Sequence, residues 1–316
     1  MSIRREGTIF LASLLNVSIA GNLRLFVCIE MTMRFTKMQG IGNDFVVVDG
    51  AVLPPNAFLP NLAIRTCDRH FGVGADGLLV VSRDAPSTAF RMRMFNPDGT
   101  EDMCGNGLRC VSLWASRAGW LAGQTEFTVA VKEGAREVRL LETAETGQIA
   151  SIGVDMGEPQ FESEHLPFCA AKGQRIFGYP LTVDEGVYSI TSVNTGSTHT
   201  VIFGEAPTEE IFQRVSPQIE NHVLFPERTS VLWATPQGDH SFNVRIWERG
   251  VGETLGCGTG ACAVGAAAVV RGLCAAGEPI AVISRGGTLS ITWQGEGHPV
   301  DMVGPAHFVF EGELDI

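Results

Sequence analysis

Two tetrapeptides, Cys104-Gly105-Asn106-Gly107 and Cys257-Gly258-Thr259-Gly260, share the pattern Cys-Gly-x-Gly at an offset of 153 residues. Each is followed by an apolar stretch of helical character, Leu108 to Ala118 and Ala261 to Leu273, and preceded by an acidic residue, Glu101 and Glu253. A Cys-Gly-x-Gly opening a helix does three things. The glycines let the backbone come close to a ligand. The free N–H groups and the positive end of the helix dipole form an anion site suited to a carboxylate. The same field favours thiolate over thiol, which lowers the expected cysteine pKa.

Two such loops converging on one cleft would hold two sulfurs and N–H groups able to clamp one carboxylate. That suits inversion at the α-carbon of an amino acid. The reaction needs a base on one face, an acid on the other, and stabilisation of the charge developing between them. Similar halves would supply equivalent groups, one thiolate and one thiol, with roles that swap with substrate handedness. Such a pair titrates as a coupled system.

Other segments repeat at nearly the same offset. Gly42 to Val47 faces Gly196 to Val201, Phe95-Asn96 faces Trp247-Glu248, and Lys132-Glu133-Gly134 faces Arg285-Gly286-Gly287. Several matches in one order imply two related halves, each running strands, turn, Cys-Gly loop, helix, strands. The join is expected near residues 145–152, where Glu145-Thr146-Gly147-Gln148 reads as a turn. Short segments rich in Val, Ile, Phe or Trp predict strands at 45–49, 77–82, 90–95, 127–131, 138–141, 201–203, 230–234 and 242–247. Leu59 to Arg69 and Glu209 to Val215 read as further helices. The class is therefore α+β with sheet outweighing helix.

Composition narrows the partners. The chain of 316 residues is 45% hydrophobic and 18% charged, so it can bury a sizeable core. A net charge of −12 without a basic cluster argues against nucleic acid. Eight cysteines in a chain this long point to reduced cytosolic thiols, and no Cys-x-x-Cys pair offers the common zinc spacing. No metal is expected. The three lysines, Lys37, Lys132 and Lys172, lie outside any phosphate-loop context, which argues against pyridoxal phosphate. Gly72-Val73-Gly74 lacks the third glycine of a dinucleotide loop.

The sequence resembles the diaminopimelate epimerase family. The resemblance is carried by MRFTKMQGIGNDFVVVDG from Met33, HFGVGADGLLVV from His70, MFNPDGTEDMCGNGLRC from Met94, VRIWERGVGETLGCGTGACA from Val244 and HPVDMVGPA from His298. It implies two pseudo-symmetric domains, each of strands wrapped around a central helix, with the active-site cleft between them. It implies a cofactor-independent, two-cysteine isomerase acting on LL- and meso-diaminopimelate in lysine and peptidoglycan biosynthesis. Cys104 and Cys257 match the catalytic pair. Gly105, Asn106, Gly258 and Thr259 match the loops that hold the reacting carboxylate. Asn43, Asn96, Glu248 and Arg249 match substrate contacts, and His199 matches the histidine near the reacting amine. The family suggests a homodimer in the cytoplasm, with no membrane association. The chain departs from the family in having Ser197-Thr198-His199 where Asn-Pro-His is usual, and Ser230 where Asn is usual. The segment from Asn96 to Cys104 is one residue shorter. Both missing asparagines would read the distal end of diaminopimelate. A same-mechanism racemase of another amino acid, such as histidine, is therefore an alternative. So is a non-catalytic amino-acid-binding protein, although neither cysteine is missing. A thiol–disulfide oxidoreductase would place its cysteines close in sequence.

The resemblance assigns 33–149 plus about 303–316 to the half carrying Cys104, and 150–302 to the half carrying Cys257. Residues 1–32 fall outside it. Arg4-Arg5 and the apolar run from Thr8 to Ala20 look like a short signal peptide, but the run is too short to span a bilayer. The expected reading is an extension outside the fold, with a targeting signal or an extra element as alternatives. Deleting residues 1–32 should then leave a soluble and active protein, as gel filtration and turnover would show. Loss of folding on deletion would place the extension in the core.

Overall fold

A computed structural model describes residues 32–53, 58–84, 87–132, 134–142, 149–183 and 186–315. The first half contains β1 (Thr32–Gly40), β2 (Asn43–Asp49), α1 (Leu59–Cys67), β3 (Gly77–Ser82), β4 (Phe90–Phe95), β5 (Glu101–Asp102), α2 (Gly105–Arg117), β6 (Glu126–Val131), β7 (Gly134–Glu142) and β8 (Ile149–Asp155). The second contains β9 (Phe177–Val183), β10 (Gly186–Asn194), β11 (Thr198–Phe203), α3 (Glu209–Glu220), β12 (Ser230–Pro236), β13 (Ser241–Glu248), β14 (Gly252–Thr254), α4 (Gly258–Val270), β15 (Ile280–Ser284), β16 (Gly287–Trp293) and β17 (Val300–Gly304). The last strand, β18 (His307–Asp315), returns to pair antiparallel with β1.

The strand pairing repeats with the sequence. β2 lies parallel to β3 as β11 lies parallel to β12. β4 lies parallel to β6 as β13 lies parallel to β15. Even the register repeats: Phe45 faces Gly77, and its counterpart His199 faces Ser230. The hairpins β6–β7 and β15–β16 turn at the matched Lys132 and Arg285 segments, closing on Val131–Gly134 and Ser284–Gly287. Strand β8 pairs with β7 on one side and antiparallel with β17 on the other, which makes one continuous sheet, and the expected boundary at residue 150 falls within this strand. The turn expected at residues 145–148 lies outside the described residues.

Each half wraps its strands around one central helix. The main core gathers Leu108, Cys110, Val111 and Ala115 of α2 with Cys262, Ala263, Val264 and Ala267 of α4. Helix α4 is apolar on nearly all sides and almost wholly buried, as a helix enclosed by sheet must be. Its small residues let strands approach: a Cβ on Gly265 would meet Ile291 at 2.5 Å. A second core packs Phe212, Val215 and Ile219 of α3 under β9 to β12, and a third packs Leu59, Leu62 and Ala63 of α1 under β1 to β3.

One turn of the first half braces the second. Ile41 and Gly42 join β1 to β2 with φ of 51° and 81°. A positive φ on a β-branched residue is unusual and strained. The buried Ile41 is held there by the second half: a Cβ on Gly256 would lie 2.6 Å from its Cδ1, and one on Gly286 only 1.7 Å from its carbonyl oxygen. The turn that presents Asn43 is thus locked against the loop that presents Cys257. Thr32, the first described residue, already belongs to strand β1, and its hydroxyl donates to Asp315.

Candidate active site

The two repeated cysteines are the N-caps of α2 and α4 and share one backbone geometry. Cys104 has φ −141° and ψ 114°, and Cys257 has φ −131° and ψ 119°. The Gly107 N–H donates to the Cys104 sulfur at 3.4 Å, and the Gly260 N–H donates to the Cys257 sulfur at 3.3 Å. The first turns of the two helices abut. A Cβ on Gly258 would lie 3.0 Å from Asn106 Oδ1, and one on Gly105 would lie 2.8 Å from the Met302 methyl. A side chain at either position would push those neighbours aside, and both glycines line one cleft.

The cleft, of about 510 Å³, lies between the halves. It is lined by Asn43, Asn96, Cys104, Gly105, Asn106, Ser197, Glu248, Cys257, Gly258 and Thr259, together with residues not singled out in the sequence, among them Arg69, Asp76 and Met103. Asn43 Nδ2 donates to Asp76 at 2.7 Å, leaving its Oδ1 to accept from Asn106 Nδ2 at 3.2 Å and from the Cys104 thiol at 3.7 Å. Arg69 braces Asp76 and Asp44, each at 2.7 Å. Thr259 links the other sulfur to the histidine: its hydroxyl lies 3.3 Å from Cys257 Sγ and 3.0 Å from His199 Nε2. Glu248 accepts from the Thr254 hydroxyl at 2.5 Å and contacts the Cys257 thiol.

Three expected residues stand behind this cleft. His199 is buried, with Nε2 shared between Thr259 and Ser197 at 3.0 Å each and Nδ1 without a partner. Arg249 lies beyond the Gly196-Ser197 wall, in a neighbouring depression, where its guanidinium donates to the Glu227 carbonyl at 3.2 Å. Ser230 does not reach the cleft. Its hydroxyl accepts from the Arg249 backbone N–H at 3.1 Å and so fixes that residue. The repeated acids have a structural task. Glu101 grips Arg93 and Glu253 grips Arg245, each at 2.8 Å, which folds β5 and β14 back beside the strand that precedes each cysteine loop.

The electrostatics depart from the expectation of lowered thiols. Burial pushes Cys104 up to about 11, against the opposing pull of the Gly107 and Asn106 N–H groups. Burial also pushes Cys257 well up, and the neighbouring Glu248 adds to it. Desolvation of a thiolate in the buried cleft outweighs the helix field. Burial likewise raises Glu248. No cluster of metal-ligating side chains occurs among the described residues.

Burial, with the Arg249 charge beyond it, drops His199 to about 3. Its imidazole is neutral when folded, whereas the unfolded chain takes up a proton below about pH 6.5. This group therefore stabilises the fold fully above that pH, and the contribution is lost as pH falls towards 3, by up to about 1.4 kcal/mol per unit. His199→Gln should lose less stability than the wild type between pH 7 and 4.5, measured by urea midpoints. Equal losses would mean that the histidine is charged in the fold.

The profile of the diaminopimelate epimerase family matches residues 35–162 and 191–309. A diaminopimelate epimerase of Pelotomaculum thermopropionicum is 43% identical over 284 residues, covering 89% of this chain and 98% of the relative. One of Desulfovibrio desulfuricans is 40% identical over 295 residues, covering 90% and 99%. Among solved structures, a hydroxyproline epimerase of Agrobacterium vitis with trans-4-hydroxy-L-proline bound superposes with a TM-score of 0.66 at 14% identity, covering 90% of this chain and 93% of the other. A Bacillus anthracis phenazine biosynthesis protein of the PhzF family gives 0.64 at 20%, covering 90% and 100%. These structures share the fold, while the family match and the relatives near 40% identity settle kinship: the chain belongs to the diaminopimelate epimerase family.

Proposed function

We propose that this chain interconverts LL- and meso-2,6-diaminopimelate by moving the α-proton between Cys104 and Cys257. The observation that carries the reading is the pair of sulfurs capping two abutting helices at one cleft. The reacting carboxylate fits between the two helix N-termini, where backbone N–H groups and Asn106 Nδ2 can receive it. One sulfur, as thiolate, takes the α-proton. The electron pair left on carbon spreads into the carboxylate, whose oxygens are already hydrogen-bonded. The opposite thiol returns a proton to the other face. The sulfurs exchange roles for the reverse reaction.

Their surroundings differ. Each sulfur accepts a backbone N–H, Gly107 for Cys104 and Gly260 for Cys257, but Cys257 also contacts the Glu248 carboxyl where Cys104 meets the Asn43 amide oxygen. His199, neutral and tied to Thr259, keeps that hydroxyl beside Cys257. Cysteines used this way need a reducing compartment, which supports a cytoplasmic setting. A homodimer completes the reading. It is supported by β18, which is paired with β1 alone among the described strands and exposes Val309 and Phe310.

Either Cys104→Ser or Cys257→Ser should nearly abolish epimerisation in both directions with the fold intact, because a hydroxyl is a far weaker acid than a thiol. Deuterium uptake at the α-carbon in D₂O, run across a panel of amino acids, reads both mechanism and substrate. Near-normal exchange in either variant would remove the two-base mechanism. Faster exchange with histidine or another monocarboxylic amino acid than with diaminopimelate would overturn the substrate.

Distal recognition is the weaker part of the site. Ser197 lines the cleft but is turned to His199, and Arg249 is engaged with Glu227. A serine hydroxyl reaches a distal carboxylate only through water. Ser197→Asn combined with Ser230→Asn should lower KM for diaminopimelate more than it changes kcat, as for binding felt equally in ground and transition states. A change confined to kcat would place these positions at the reacting carbon instead.

A further inference from the structure

Arg109 is fully buried on α2, five residues beyond Cys104. Its guanidinium donates to Asn106 Oδ1 at 2.9 Å and to the Pro305 carbonyl at 3.2 Å, and it touches Met302 Sδ at 3.5 Å. No carboxylate pairs with it among the described residues. The ionisable groups whose charges act on it are thiols: Cys110 and Cys104 of its own helix and Cys262 of α4. Of the nearby acids, Glu248 on β13 acts on the catalytic cysteines, and Asp301 on β17 is paired with Arg139 of β7 at 2.7 Å. A buried cation with no anion is costly, and proteins rarely keep one.

The backbone makes room for it. A Cβ on Gly40 would lie 3.1 Å from Arg109 Nη2, and one on Gly304 would lie 3.3 Å from Nε. At the repeat offset of 153, the counterpart of Arg109 is Cys262, so only one half carries the cation. These facts fit a site whose anion arrives with the chemistry.

We propose, resting on the epimerase reading above, that Arg109 is the positioning cation of the cleft, orienting Asn106 and supplying from one half the positive charge that both helix N-termini share. Its Nη2 holds Asn106 Oδ1, which turns Nδ2 towards Asn43 and the cleft. Its charge lies behind the Cys104 loop, where thiolate and substrate carboxylate gather negative charge. One carboxylate sits between two helices, so one cation serves both. That accounts for the broken symmetry of an otherwise repeated motif.

The test follows alkylation of Cys104 by iodoacetamide against pH, mapped by mass spectrometry, in the wild type and in Arg109→Met, Arg109→Gln and Arg109→Lys. The neutral variants should raise the apparent thiol pKa by about one unit or more, and Arg109→Lys by less than half of that. In the neutral variants kcat should fall by roughly 100-fold. The thermal midpoint of Arg109→Met should equal or exceed that of the wild type, since an unpaired buried charge has been removed. An unchanged alkylation profile in both neutral variants overturns the proposal. So does a drop in thermal midpoint with no change in profile, which marks a purely structural arginine. If neither neutral variant folds while Arg109→Lys does, the charge serves folding, and the proposal is again overturned. The alkylation needs no substrate, so a wrong substrate would show in the deuterium experiment and leave this one standing.

Discussion

The first turn of α2 rests on the first turn of α4, and the rest of the molecule is arranged to permit that contact. Asn106 Oδ1 would stand 3.0 Å from a Cβ on Gly258, and the Met302 and Met156 methyls would stand 2.8 and 2.9 Å from one on Gly105. Two positive helix ends brought this close repel each other in the absence of an anion. The approach is paid for by apolar burial on both helices, by the β8–β17 pairing that fuses the sheets, and by Ile41 wedged against Gly256. The strain of Ile41 at φ 51° belongs to the same account, because it holds Asn43 and the Cys257 loop in one frame.

Burial then sets the chemistry. A helix N-terminus in water would acidify a thiol, yet here both thiols are pushed up. The low-dielectric cleft penalises any uncompensated charge, whichever group bears it. A substrate ammonium and carboxylate entering together change that balance. The ammonium favours the thiolate, and the carboxylate meets the N–H groups. The cleft is thus poor at holding an isolated charge and suited to a substrate that brings both signs, which ties thiolate reactivity to substrate binding.

Much of this was legible in the sequence, because repetition survives where individual signals are weak. The strands at 77–82 and 90–95 and the helices after each cysteine stand where pattern put them. Strand β1 and the long hairpin of β9 and β10 were not read. Gly178 and Pro180 interrupt the alternation of β9, and its first half buries no residue fully. At the site, the cysteine loops, Asn43, Asn96 and Glu248 reach one cleft as the repeat implies. His199, Arg249 and Ser230 do not, since resemblance carries residue identity but not the direction in which a side chain lies. Asp76 and Arg109 escaped notice although both fall inside motifs that were read, HFGVGADG and CGNGLRC. Neither has an equivalent in the other half, and a search for repeats is blind to what is not repeated.

The unrepeated residues carry a further lesson. Inverting a stereocentre asks for equivalence at the two faces of one carbon, and the halves supply it in the paired Cys-Gly-x-Gly loops. The other substituents of that carbon are not equivalent, and the matched positions differ where those substituents must lie. Asn96 stands opposite Glu248, Asn106 opposite Thr259, Phe45 opposite His199, and Arg109 opposite Cys262. The first half contributes amides and a cation, suited to a carboxylate. The second brings a carboxyl, the Thr259 hydroxyl and a neutral imidazole to the Cys257 side, while its helix N-terminus shares the carboxylate with the first. Symmetry is kept for the proton and abandoned for recognition. A perfectly repeated protein would clamp two carboxylates or two amines, and would orient neither hand of an amino acid between its sulfurs.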